Sequence, residues 1–141
     1  MRRRFPGLHQ TSGSAEIPDG LYLVQVERVQ YRWSKQKPFY ALRFRVIEPQ
    51  ALLGAFIESR LYLSTKALWK LAWFLRDFGY DTELFCRDEL DEKALVGLRG
   101  VVKISHVVVH GTSLLNLDAF APAVEWQRLS AAIPKPTPEV A

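Results

Sequence analysis

Six cations and five aromatic rings crowd the segment Arg28 to Ile47, which contains no Asp or Glu. The cations are Arg28, Arg32, Lys35, Lys37, Arg43 and Arg45; the rings are Tyr31, Trp33, Phe39, Tyr40 and Phe44. Interleaved in this way, cations track the phosphates of a single strand while flat side chains stack on its bases. The plainer reading is a solvated hairpin whose aromatics belong to the core.

Other chemistries find less support. His106 and His110 are four residues apart on a stretch that reads as strand. Four strand residues span ~13 Å at ~3.3 Å each, too far to share one metal ion. Cys86 has no evident histidine partner, and a lone cysteine is usually an inert packing residue. Asp88, Glu89, Asp91 and Glu92 suit the start of a short helix, where the helix dipole favours negative charge, better than paired acid–base carboxylates. Gly97 and Gly100 lack the pattern of a phosphate-binding loop and the Lys-Ser/Thr that follows it.

The elements that position the basic stretch follow from periodicity. Ile17-Pro18-Asp19-Gly20 is a turn signal before a first strand, Leu21 to about Trp33, with Tyr22, Val24 and Val26 inward. After Arg28 the apolar parity switches to Val29 and Tyr31, as a β-bulge would cause. Ser34 to Lys37 reads as a loop. Phe39 to Glu48 reads as a second strand, with Tyr40, Leu42, Phe44 and Val46 inward and Phe39, Arg43 and Arg45 outward. Ala55 to Leu63 is a third, with Ile57, Leu61 and Leu63 inward and Phe56, Glu58, Arg60 and Tyr62 outward. Ser64 or Thr65 caps a helix to about Phe78, with a stripe of Leu68, Leu71, Ala72, Leu75 and Phe78. Gly79 ends it, and Trp69 and Trp73 lie beside the stripe. Tyr80 to Asp91 shows no strong period, and a helical turn covers Glu92 to Val96. Leu98 to Val109 is a fourth strand, with Val102, Ile104 and Val107 facing in. His110-Gly111-Thr112-Ser113 turns the chain into a fifth, Leu114 to Phe120.

Three strands, a helix, a helical connection and two more strands predict a mainly β fold. It is a five-stranded Greek-key barrel of the OB type, with one α-helix between strands three and four. The ligand face of such a barrel is formed by strands two and three, flanked by the strand one–two and four–five loops. The cationic, aromatic stretch falls on that face.

Composition agrees with one soluble domain. The chain has 141 residues, 48% hydrophobic and 24% charged, with net charge +4. Its pI near 9.4 favours anionic partners. A single cysteine permits no internal disulfide, and no apolar run reaches the ~18 residues of a membrane span. The organisation expected is a basic arm over 1–16, a barrel domain over 17–122, and an extension with a Pro-rich tail over 123–141. The arm, with Arg2, Arg3 and Arg4, either adds phosphate contacts or is a solvated terminus. A cytoplasmic protein of a bacterium or phage-infected cell is expected.

Gly20-Leu21-Tyr22-Leu23-Val24-Gln25-Val26 resembles the opening of the OB-fold single-stranded-DNA-binding-like proteins of phages and prophages, a family long known only as a domain of unknown function. Lys66-Ala67-Leu68-Trp69-Lys70-Leu71 through Asp77-Phe78-Gly79 is similar to its Trp-containing helix and terminal glycine turn. Leu95 to Val102 is similar to the element before its fourth strand. The resemblance covers roughly residues 17 to 122. It implies cytosolic, non-enzymatic binding of single-stranded DNA in replication, recombination or repair, with proteins of those processes as further partners. One departure is the end, Pro136-Thr137-Pro138-Glu139-Val140-Ala141, which lacks the acidic tip through which many bacterial single-strand-binding proteins recruit partners.

The residues expected to touch nucleic acid are Arg32, Lys35, Lys37, Arg43, Arg45 and Arg60 for phosphates, and Trp33, Phe39, Phe56 and Tyr62 for stacking. Trp33 leads, since a Trp in a basic loop has no evident core role. No cofactor, metal or membrane enters this reading. Two others stand beside it. One is a protein-interaction or oligomerisation module using Trp69, Trp73 and Trp126. The other is a small enzyme in which His106 or His110 meets an acid in a deep pocket. Self-association is compatible with the first two.

Overall fold

The structure, a computed structural model, describes residues 17–131. The basic arm and the Pro-rich tail lie outside them. Five strands form one antiparallel sheet: β1 (Gly20–Ser34), β2 (Lys37–Glu48), β3 (Phe56–Tyr62), β4 (Arg99–Val109) and β5 (Thr112–Pro122). Their order is β3-β2-β1-β4-β5. The fold is thus mainly β, as the strand periodicity predicts. Among the described residues three short helices connect β3 to β4, namely α1 (Leu68–Asp77), α2 (Thr82–Cys86) and α3 (Glu92–Leu95), and α4 (Trp126–Ala131) follows β5. The edge strands β3 and β5 touch, and α1 contacts both. Phe74 of α1 meets Phe44 of β2 at 6.0 Å and Phe120 of β5 at 5.5 Å between ring centroids.

The inner face of the sheet carries the alternate apolar residues of each strand. Tyr22, Val24 and Val26 of β1, Tyr40, Leu42, Phe44 and Val46 of β2, Ile57 and Leu61 of β3, and Val102 and Ile104 of β4 are buried. Burial of one such side chain contributes about 1.5–3 kcal/mol. The parity switch in β1 is a real bulge. Val26 pairs with Phe44 and Arg28 with Arg43, leaving Glu27 unopposed. Beyond it Val29 and Tyr31 take the inner parity, opposite Leu42 and Tyr40, while Arg28, Gln30 and Arg32 take the outer one.

Both long hairpins close through turns of two residues at positive φ, Lys35-Gln36 (50° and 65°) and His110-Gly111 (50° and 79°). Such turns match the right-handed twist of the strands they join. The first is tighter than the loop expected over Ser34 to Lys37. In the second hairpin β5 begins at Thr112, before the expected Leu114. Val107, expected inside, is exposed because this hairpin runs past the core.

Around α1 the sequence reading needs correction. Neither Ser64 nor Thr65 caps the helix. The Ser64 carbonyl accepts from the amides of Ala67 and Leu68, winding a turn before α1, and the N-cap is Ala67 without a side-chain bond. The buried stripe is Leu71, Phe74, Leu75 and Phe78, with Leu68 exposed. It is rotated toward Phe74 because the helix covers two strand edges at once. Gly79 does end the helix. At φ 79° it lets the Tyr80 amide reach the Leu75 carbonyl at 2.9 Å, a helix-terminating pattern that satisfies an orphan carbonyl. The connection from Tyr80 to Asp91, which shows no strong period in sequence, contains α2, whose first turn is capped by Asp81 accepting from the Leu84 amide at 3.1 Å. Asp91 caps α3 in the same way, accepting from Lys93. Cys86 is exposed rather than packed. Trp126 is buried, so it forms no patch with Trp69 and Trp73.

Candidate nucleic-acid interface

Pairing across β1, β2 and β3 fixes which side chains share the outer face of the sheet. One row is Arg32, Phe39 and Tyr62; the next is Gln30, Ala41 and Arg60; the third is Arg28, Arg43 and Glu58. Arg45 and Phe56 follow as a cross-strand pair. Side chains directly opposite on one face are close neighbours, and like charges so placed are destabilising. Arg28 and Arg43 form such a pair.

These rows enclose an open cleft of about 260 Å³ lined by Arg28, Arg32, Arg43 and Arg60, with Glu58 its one carboxylate. The guanidinium of Arg43 lies 3.8 Å above the Phe56 ring, and that of Arg60 lies 4.5 Å above the Phe39 ring. Both cations are therefore held over aromatic faces, which limits their freedom and prepares them for an anion. The Nε of Arg43 is shut off from solvent with no hydrogen-bond partner among the described residues. Arg32 is steered along the strand by the Gln30 side chain, whose Oε1 accepts from its Nε at 3.1 Å.

A second cleft, of about 810 Å³, continues past Arg60 toward the hairpin tip. Lys35, Lys37, Lys66 and Tyr62 line it together with Arg60. Arg60 belongs to both clefts, so cations run without a break from Arg28 to Lys66. Arg45 lies at the opposite end, in a separate hollow with Gln25 and Gly97.

Of the residues expected from sequence, Arg32, Arg43, Arg60, Lys35, Lys37 and Tyr62 come together along this track, with Phe56 beneath Arg43. Three differ from expectation. Phe39 does sit on the outer face, but Arg60 covers it, Tyr62 packs on it at 5.6 Å, and it is only 3% exposed. It therefore offers no free ring face. Trp33 is 62% exposed but has the inner parity, with its ring edge against Tyr31 at 6.2 Å. It points away from the arginines, because the bulge at Glu27 reverses the faces of the hairpin beyond it. Arg45 is exposed but stands outside both clefts. Two further cations stand outside the expected contact set, Arg28 and Lys66. Arg28 reaches the cleft only because of the bulge, and the parity switch in the sequence was the signal for it. Lys66 is brought in by the turn that winds before α1.

Elsewhere, His106 does meet an acid. Its Nδ1 lies 2.5 Å from Asp19 Oδ1, but that carboxylate is 62% exposed, so the pair stands at the surface rather than in a deep pocket. Among the described residues no group of three or more His, Cys, Asp or Glu side chains is placed to hold a metal ion. No described helix is long and apolar enough to cross a membrane. Comparison with protein-family models gives no match for this chain, and comparison with curated proteins gives none.

Proposed function

We propose that this protein binds single-stranded DNA, without catalysis and largely without sequence preference, on the outer face of β1, β2 and β3. The observation that carries this reading is the cleft of four arginines with one carboxylate, in which Arg28 and Arg43 stand directly opposite each other. Like charges in that position weaken a sheet. A phosphate between them turns the repulsion into two charge-assisted contacts. The cleft is open and shallow, as a continuous strand of nucleic acid needs, and it leads into the lysine-rich cleft beside Tyr62. Arg28, Arg32, Arg43, Arg60, Lys35 and Lys37 hold phosphates, and Tyr62 supplies the exposed ring for a base, with Phe56 behind Arg43.

The fold belongs with this reading as an OB-type barrel. A Greek-key barrel of that type, opened between its third and fifth strands, has the order found in this sheet, and its ligand face is the one that carries the arginines. The resemblance to phage and prophage single-stranded-DNA-binding-like proteins points the same way, to a role in replication, recombination or repair.

The test is fluorescence anisotropy of a labelled oligo-dT at low and raised salt, with duplex of equal length as competitor. Tight binding that weakens steeply with salt and yields little to duplex is the expected result. Absence of binding at low salt overturns the proposal.

A second reading has its own observation. A largely apolar groove of about 500 Å³ runs between α1 and α2 with the segment after it, lined by Leu68, Leu71, Leu75, Phe85 and Leu90, with Asp88 and Glu89 also in its wall. It suits a protein contact, and a chain that binds no oligonucleotide but associates with itself or a partner protein through Leu68 would favour it.

A further inference from the structure

Trp69 and Trp73 form a stacked pair on α1, ring centroids 6.2 Å apart and planes inclined by 27°. The lower ring is fixed. Trp73 donates from Nε1 to Asp77 Oδ2 at 2.8 Å and sets its edge against Phe120 of β5 at 5.6 Å. The upper ring has one face on Trp73 and the other bare, and Trp69 is 61% exposed. The ring thus has a defined plane and a free face without contributing to the core.

Two lysines flank that face, the exposed Lys66 and the half-buried Lys70, with Asp77 bonded to Trp73 and Asp118 near Lys70. The chain is already wound before α1, since the amides of Ala67 and Leu68 both donate to the Ser64 carbonyl. Lys66, Trp69, Lys70 and Trp73 therefore follow the i, i+3, i+4, i+7 spacing of one helix face. Lys66 also lines the cleft that holds Lys37, Arg60 and Tyr62. The cationic track thus ends beside the bare indole. An aromatic face flanked by lysines is what a nucleobase and its phosphate need.

We infer that the free face of Trp69 is a base-stacking site, reached by a single strand that leaves the arginine cleft past Arg60 and Lys66. The inference rests on the single-strand reading proposed above and adds to it a second contact region on α1. Lys66 and Lys70 neutralise the phosphates on either side of the stacked base. Tyr62 and Trp69 are then successive aromatic stations on one path, and occupancy of the second depends on the length of the strand.

The experiment is an oligo-dT ladder from about 4 to about 16 nucleotides, titrated against the wild-type chain, Trp69→Ala and Trp69→Phe, with thermal melts confirming that the variants fold. Wild type gains affinity with length. Trp69→Ala should bind the shortest oligonucleotides like wild type and lose about tenfold on those long enough to reach α1. Trp69→Phe should recover most of that loss, because a ring is restored without the indole. If wild type binds the ladder with steep salt dependence but Trp69→Ala matches it at every length, the site on α1 is refuted and the arginine cleft stands. If Trp69→Ala changes the sedimentation of the free protein but no oligonucleotide affinity, the surface is a protein contact and the inference fails. If wild type binds no member of the ladder, both readings fall together.

Discussion

The ring of Phe78 lies directly over the backbone of Gly100. A Cβ placed on Gly100 would come within 2.5 Å of two ring carbons. Phe78 is the last residue of α1's buried stripe and packs on Phe74 at 4.6 Å and Phe44 at 5.9 Å. The helix can approach β4 this closely only where the strand has no side chain. Gly100→Ala should therefore destabilise by about 3 kcal/mol, the upper part of the range for overpacking. Gly79→Ala is the control. Its Cβ would meet nothing within 4 Å, but its φ is 79°, so it should cost only about 1 kcal/mol, from backbone conformation alone. Urea unfolding of both variants checks the ranking.

Arg28 and Arg43 predict a trade between stability and binding. Replacing Arg28 by Ala relieves the like-charge pair and should raise stability by a few tenths of a kcal/mol. The same change should weaken oligo-dT and lower the slope of log affinity against log salt by about 0.7, the value for one phosphate contact on a single strand. Arg43→Ala should weaken binding more, about tenfold, because its guanidinium is already held over Phe56. Anisotropy at several salt concentrations, beside urea unfolding, measures both sides.

Tyr62 and Trp33 separate the two faces of the first hairpin. Tyr62→Ala should weaken oligo-dT about tenfold, as loss of a stacked base does. Trp33→Ala, on the other face, should change affinity by less than about twofold. The opposite ranking would mean that the strand passes over the inner side of the hairpin tip. Stopped-flow or anisotropy titrations of the two variants decide it.

Tyr40 ties stability to alkaline pH. Its hydroxyl donates to Glu92 Oε1 at 3.2 Å. Burial, and then the neighbouring Glu92 carboxylate, push its pKa from the ordinary 10 up to about 12. The folded state therefore favours the protonated phenol. Its stabilisation is fully present below pH 10 and is lost as pH rises from 10 through about 12. Wild type should lose more stability than Tyr40→Phe between about pH 9 and about pH 11. Urea unfolding at the two pH values tests this, and an absorbance titration of tyrosinate locates the transition.

Strand periodicity carried most of the fold. Val24, Val26, Phe44, Val46 and Ile57 alternate so regularly that their burial could be read residue by residue. Helix α1 was harder. Its stripe depends on two strand edges distant in sequence, so Phe74 and not Leu68 faces inward. The site was legible in composition and only partly in placement. Arg43, Arg60 and Tyr62 follow from strand parity alone. Trp33 and Arg28 required knowing where the parity breaks, and a sequence shows only that it does. Phe39 shows a different gap. It is on the correct face, but whether a neighbouring arginine covers a ring depends on side-chain packing across strands, which period-two patterns do not encode.

The unopposed Glu27 makes this strand tolerant of one particular genetic lesion. The residue adds a step to β1 that β2 does not match, so its removal would leave Val26 and Arg28 adjacent and in plain alternation, still opposite Phe44 and Arg43. Every side chain from Arg28 to the hairpin tip would keep its face. Removal of Gln30 instead would either reverse the tip beyond it or close the bulge and turn Arg28 inward and Val29 outward. An in-frame loss of the Glu27 codon should therefore harm this protein less than loss of the Gln30 codon on the same strand.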